Sequence, residues 1–167
     1  LQSGEGRSRA KINLPGIQED LLKKIYKANN KTVLVLMNGR PLDLSWEDEN
    51  IPAIVEAWHL GTMSGEAISS VIFGDYNPSG KLPVSFPRSL GQVPIYYNHK
   101  NTGRPGPSND VFWSHFNDEK NDPLYPFGYG LSYTKFNYTN LKIENLKDES
   151  SIKVNIMVEN IGKRSGQ

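Results

Sequence analysis

Side chains able to do chemistry are few in this sequence, and their types and spacing remove several chemistries at once. There is no cysteine, which excludes thiol catalysis, disulfides and thiolate metal sites together. The three histidines, His59, His99 and His115, have no close spacing, and without cysteine they do not compose a zinc site. Gly4-x-Gly6 could open a dinucleotide-binding loop, but no apolar strand precedes it and Arg9 stands where the third glycine belongs. Neither a cofactor nor a metal is therefore expected. What remains is carboxylates and rings. Glu5, taken alone, is one loop acid among 18 acidic residues. Trp46, Trp113 and Tyr97 are of the kind that stack on pyranose rings, although packing is the ordinary use of such residues. At the Gly103-Arg104-Pro105 corner, Arg104 reads as a clamp on carboxylates or carbonyls of its own protein.

These residues must be positioned by a chain of 167 residues, enough for one domain or one and a fraction. Balanced charge, 19 basic against 18 acidic residues, argues against a nucleic-acid partner. No apolar run approaches the roughly 18 residues of a membrane span. Charge comes in blocks, +5 over residues 1–40, −7 over 41–80 and +3 over 81–167, as expected of differently solvated faces. Leu1 is not an initiator methionine, and the chain reads as a fragment.

Residues 1–15, rich in Gly and Arg, read as a loop. Ile17, Leu21, Leu22, Ile25 and Tyr26 fall at helical spacing and predict an amphipathic helix over 17–28. Thr32 to Met37 is a continuous β-branched and apolar run, of the type buried on both faces of a parallel sheet, and it predicts a central buried strand at 33–37. Ala53 to Trp58 predicts a second buried strand, and Gly61 to Phe73 a second helix. The order helix, strand, strand, helix suggests an α/β layer. From Asn77 to Pro126 the texture changes, because 8 of the 11 prolines fall there and proline favours extended, irregular chain. Between Phe86 and Tyr138 lie 12 of the 17 aromatics, so this connector is expected to pack down on the protein. Finally, Phe136 to Leu146 and Ser151 to Val158 alternate apolar and polar residues around Lys147-Asp148-Glu149-Ser150, a hairpin signal. The triplets Asn30-Lys31-Thr32 and Asn137-Tyr138-Thr139 fit a glycosylation sequon and read as chance matches.

Three stretches together resemble the C-terminal part of glycoside hydrolase family 3, in particular its bacterial periplasmic β-glucosidase branch. They are Val35-Leu36-Met37-Asn38-Gly39-Arg40-Pro41, then Phe73-Gly74-Asp75-Tyr76-Asn77-Pro78-Ser79-Gly80-Lys81-Leu82-Pro83 with Ser85-Phe86-Pro87-Arg88-Ser89, and then Tyr96 to Pro105 with Leu124 to Tyr133. The resemblance implies an incomplete α/β sandwich domain at 1–87, an extended linker at 88–131 and the first strands of a fibronectin type III-like β domain at 132–167. It implies an N-terminal TIM barrel elsewhere in the parent chain as a partner, with an Asp nucleophile on that barrel. Two departures from the family pattern, Thr62-Met63-Ser64-Gly65-Glu66 and His59 in place of an aromatic, bear on helix packing more than on catalysis.

By the same resemblance, the segment Ser3-Gly4-Glu5-Gly6-Arg7-Ser8-Arg9 carries the general acid/base, and Glu5 is the candidate. A retaining glycosidase needs two carboxyl groups about 5–5.5 Å apart, one to attack the anomeric carbon and one to protonate the leaving oxygen. Flanking glycines let such a loop bend towards a sugar. A guanidinium beside an acid works against its protonated form, so at least one of Arg7 and Arg9 is expected to point away. Leu1 to Asn13 is expected to be mobile, with Glu5 exposed. Trp113, in a segment that departs from the family strings, and His99, inside one of them, are the candidate substrate-binding residues; fixing the linker is the other use of His99. The implied function is retaining, exo-acting hydrolysis of terminal β-D-glucosyl or xylosyl residues in the periplasm or outside the cell, the fragment alone being inactive. The alternative is a non-catalytic carbohydrate-binding or scaffold module. A truncated β domain would leave an open edge and favour homo-oligomers.

Overall fold

A computed structural model describes residues 5–100, 103–104, 112–146 and 151–166. The chain forms two compact units, one from residues 1–63 with 81–129 and one from 64–80 with 130–167.

In the first unit, α1 (Gln18–Ala28) opens with Glu19 and Asp20 in its first turn and carries Lys27 in its last, the charge order that the helix dipole favours. Next come β1 (Val33–Leu36), α2 (Ser45–Asn50) and β2 (Ala53–Glu56). The two strands pair in parallel, Val33 opposite Ala53 and Leu36 opposite Glu56, and a parallel pair requires a crossover between its strands. Here α2 supplies it. The helix was not expected, because six residues, Ser-Trp-Glu-Asp-Glu-Asn, are too few to show a period. Its start was nonetheless signalled: the Asp43 carboxylate accepts hydrogen bonds from the Ser45 N–H and hydroxyl at 3.2 and 2.9 Å, and Glu47 and Asp48 occupy the first turn.

The core of this unit gathers Leu14, Leu22, Leu36, Leu42, Leu44, Ile51 and Phe86, with Tyr26, Trp46, Trp58, Leu124 and Tyr125 packed around it. The connector packs down at its two ends, through Phe86 and Leu124–Tyr125, while Tyr96, Tyr97, Phe112 and Phe116 between them stay exposed. Residues 82–86 run antiparallel to 124–129, with the Phe86 N–H on the Tyr125 carbonyl, the Leu82 N–H on the Tyr129 carbonyl and the Gly128 N–H on the Leu82 carbonyl, each at 2.8 Å. Between these two stretches, the buried Gln92 side chain ties the loop: its Oε1 accepts the Arg88 N–H at 2.6 Å, and its Nε2 donates to the Lys120 carbonyl at 2.7 Å. A buried amide without such partners would be costly.

Three expectations need correction. β1 is placed as the apolar run demands, but only Leu36 is buried; Val33 is 45% and Met37 59% exposed. β2 ends at Glu56 and is only partly covered. The reason is the sheet, which has two strands among the described residues, so each strand keeps one unpaired edge and neither is central. On α1, Leu22 is buried and Tyr26 packs on the core, while Leu21 and Ile25 are exposed; a 100° step per residue turns them off the core-facing line. Beyond Glu56, Trp58 takes a left-handed backbone (φ 52), rare for a bulky residue, and its N–H bonds back to Glu56 Oε1 at 2.9 Å.

In the second unit, α3 (Ser64–Phe73) buries no residue. Its C-terminal end is held by the Tyr133 hydroxyl on the Val71 carbonyl at 2.8 Å and by an Arg164 guanidinium bond to the Gly74 carbonyl. The expected hairpin is present as β3 (Phe136–Asn145) antiparallel to β4 (Ile152–Asn160), Phe136 opposite Asn160 and Asn145 opposite Ile152, with an irregularity between Thr139 and Lys142. Its expected turn, 147–150, lies outside the described residues. Both faces of the hairpin are exposed, and Tyr138, Ile143, Val154, Ile156 and Val158 share one of them.

Candidate active-site segment

Glu5 sits with Gly6 in a turn and is exposed. Gly6 has φ 69, a left-handed backbone that glycine adopts without strain. Leu1 to Gly4 lie outside the described residues. Downstream the chain is tied. Ile12 and Leu14 are buried, and the Asp43 N–H bonds to the Ile12 carbonyl at 2.9 Å. Arg40 Nη2 donates to the carbonyls of Arg9 at 2.7 Å and Lys11 at 3.0 Å. An anchored stretch from Arg9 onward therefore replaces the loose one expected as far as Asn13.

Arg7, Ser8 and Arg9 line a hollow of about 690 Å³, together with the β1 side chains, Asn38, Gly39, Arg40 and His59. Neither arginine makes an ion pair with Glu5 among the described residues. His59 is exposed and lies over Gly39, where a Cβ would come within 2.7 Å of its Nε2. The turn after β1 is thus narrow for a steric reason: glycine admits the imidazole.

The other candidates lie apart from this turn in their bonding. His99 is exposed, and its backbone N–H bonds to the Tyr96 carbonyl at 3.3 Å. Trp113 is half-buried and stacks on His115 with ring centroids 4.6 Å apart and planes 13° from parallel. No hydrogen bond, ion pair or ring contact joins Glu5, His99 and Trp113 among the described residues. Trp46 meets Tyr26 edge to face at 6.0 Å, a packing use, and Tyr97 stacks on Phe127 at 4.5 Å. Arg104 clamps a carbonyl of its own chain, that of Phe112 at 2.9 Å, with the guanidinium over the Phe112 ring.

The perturbed acids lie elsewhere. Glu47 on α2 is buried, and burial first of all pushes its carboxyl up, against the bond from its own backbone N–H. Glu56, at the end of β2, is raised for the same first reason, opposed by the Trp58 N–H and the Asn38 amide. The Tyr125 phenol is raised by burial and then by its hydrogen bond to Asp48 Oδ1 at 2.6 Å. Sequence reasoning missed these and Arg40. Local signals exist for Glu56, an acid inside an apolar stretch, and for Arg40, an arginine in a tight Asn-Gly turn; Glu47, among the polar residues of α2, gives none. No group of three or more His, Asp or Glu side chains among the described residues is set to hold a metal.

Residues 1–133 match the glycosyl hydrolase family 3 C-terminal domain. The chain belongs to that family. This family 3 chain is 49% identical over 166 residues to a periplasmic β-glucosidase of Salmonella typhimurium, covering 97% of this chain and 22% of that protein. It is 43% identical over 168 residues to a β-xylosidase of Formosa agariphila, covering 98% and 22%. The crystal structure of a Listeria innocua β-glucosidase mutant in complex with laminaribiose superposes with a TM-score of 0.91 at 39% identity, covering 98% of this chain and 23% of that one. The family 3 chain thus shares the mixed helix-and-sheet fold of glycoside hydrolases while spanning about a fifth of their length. Among its described residues no helix is long and apolar enough to cross a membrane.

Proposed function

We propose that this chain is the C-terminal portion of a retaining, exo-acting β-glucosidase of the periplasm or the extracellular space, hydrolysing terminal β-D-glucosyl or xylosyl residues. Glu5 is its general acid/base. A barrel elsewhere in the parent chain supplies the Asp nucleophile, and the pieces here serve as part of an α/β sandwich (1–87), a linker (88–131) and the start of a fibronectin type III-like domain (132–167). Likeness along nearly the whole chain to proteins named β-glucosidase and β-xylosidase supports this reading. The placement of Glu5 agrees with it: an acid on an exposed, glycine-flanked turn can approach a sugar held by another domain. Trp113 and His99 are proposed sugar contacts of that parent enzyme.

In mechanism, the Glu5 carboxyl protonates the glycosidic oxygen as the nucleophile attacks, then as carboxylate takes a proton from the water that releases the sugar. General acid catalysis contributes about 10²–10⁴-fold, and an activated phenol needs little of it. Glu5→Gln in the complete enzyme should therefore slow hydrolysis of phenyl β-glucoside by about that factor while sparing formation of the glycosyl-enzyme from 2,4-dinitrophenyl β-glucoside. Equal loss on both substrates, or none, would remove Glu5 from the role; an inactive parent enzyme would favour the non-catalytic carbohydrate-binding or scaffold module.

A further inference from the structure

Glu5 belongs to a turn that no side chain braces directly among the described residues. It is exposed, makes no ion pair among the described residues, and is followed by a left-handed glycine. A general acid must nevertheless stay within hydrogen-bond reach of one oxygen. From Ile12 onward the core fixes the chain. Between Glu5 and Ile12, the side-chain anchor among the described residues is a single nitrogen. Arg40 Nη2 donates to the Arg9 carbonyl at 2.7 Å and to the Lys11 carbonyl at 3.0 Å, so two acceptors two residues apart fix both the position and the direction of the segment that leaves the turn.

Arg40 is itself firmly based. It follows the buried end of β1, Leu36, and precedes the buried Leu42, and its own carbonyl accepts the Asn38 Nδ2–H at 2.7 Å. No carboxylate pairs with it among the described residues. Its planar, always protonated fork is engaged with backbone carbonyls, and the separation of 31 residues makes it a tertiary strut instead of a local turn contact.

We propose that Arg40 is the positioning residue of the general acid, holding the Glu5 turn in register for proton transfer; this rests on the acid/base reading of Glu5. A misplacement of about 1 Å can cost on the order of 10²-fold in rate, so loss of the strut should cost roughly 10–100-fold, and only where acid assistance is needed.

The test is a cycle in the complete enzyme: wild type, Arg40→Gln, Glu5→Gln and the double variant, each assayed on phenyl and on 2,4-dinitrophenyl β-glucoside. Arg40→Gln should lower kcat on the phenyl glucoside roughly 10–100-fold, spare glycosyl-enzyme formation from the activated one, and cost nothing further in the Glu5→Gln background. Equal loss on both substrates, or the same loss with and without Glu5, would overturn the proposal while leaving Glu5 intact as the acid. A Glu5→Gln enzyme with unchanged phenyl glucoside turnover would instead overturn the acid reading, and this inference with it. Hydrogen exchange guards against general unfolding: amides of residues 8–11 should exchange faster in Arg40→Gln and in the milder Arg40→Lys, with those of α1 and β1 unchanged. Unchanged exchange at 8–11 would count against the strut.

Discussion

Replacing Phe86 by alanine tests how the first unit is held together. The Phe86 ring is 1% exposed and lies between two other rings, Trp58 with centroids 5.9 Å apart and Tyr125 at 6.1 Å. Alanine keeps the backbone bonds of residue 86 to Tyr125 and Leu124, so the perturbation falls on the side chain. Truncating a buried phenylalanine costs about 3–5 kcal/mol, of which the two aromatic pairs supply about 0.5–1.5 kcal/mol each. Against a usual total of about 5–15 kcal/mol, that is a large fraction. Urea unfolding followed by tryptophan fluorescence reads it directly, because Trp46, Trp58 and Trp113 all belong to the first unit. Phe116→Ala, at a ring 44% exposed, is the control and should cost under about 1 kcal/mol. A Phe86→Ala loss no larger than that control, at unchanged m-value, would refute the view that Phe86 joins the connector to the core.

Glu47→Gln should change the pH dependence. The folded-state pKa of Glu47 is raised by burial, so its contribution is fully present below the unfolded value of about 4.3 and is lost as pH rises through the folded value. The glutamine variant should then be the more stable at pH 7 and gain nothing near pH 4; urea midpoints showing it weaker at pH 7 would reverse the sign. Gly162→Ala should destabilise the second unit by about 1–3 kcal/mol, because its Cβ would clash with Thr134 Oγ1, whose hydroxyl donates to Asn160 Oδ1 at 2.7 Å. An unshifted thermal transition by circular dichroism would contradict this. With Tyr138, Ile143, Ile152, Val154, Ile156 and Val158 exposed on one face of β3 and β4, the 167-residue chain alone should associate through the hairpin. Light scattering that shows a monomer at high concentration would dismiss that association.

What was legible in the sequence was local. Ile17, Leu21, Leu22, Ile25 and Tyr26 predict α1 because a helix repeats within four residues. The run at 33–37 predicts β1 because β-branched side chains fit a strand, and alternation predicts β3 with β4 and even their pairing. Long strings of residues led to the family, and the family to Glu5. None of these inferences needs a neighbour distant in the chain. By itself, then, the sequence determined the types of α1, β1, β2 and α3, the antiparallel hairpin and the segment that carries the candidate acid, but not the short helix α2.

Tertiary structure decided where those elements are covered. Val33 and Met37 look like core by composition, yet they are exposed beside a two-stranded sheet, because burial is a property of what packs alongside. Glu47 looks like a solvated helix acid and is buried. Phe86 meets Tyr125, Gln92 meets Lys120, and Arg40 reaches back to Arg9. These pairings join residues about thirty or more positions apart, and at such separations loop closure leaves many partners nearly equal in entropy. Which of them is realised follows from packing in three dimensions, and no period in the sequence encodes it.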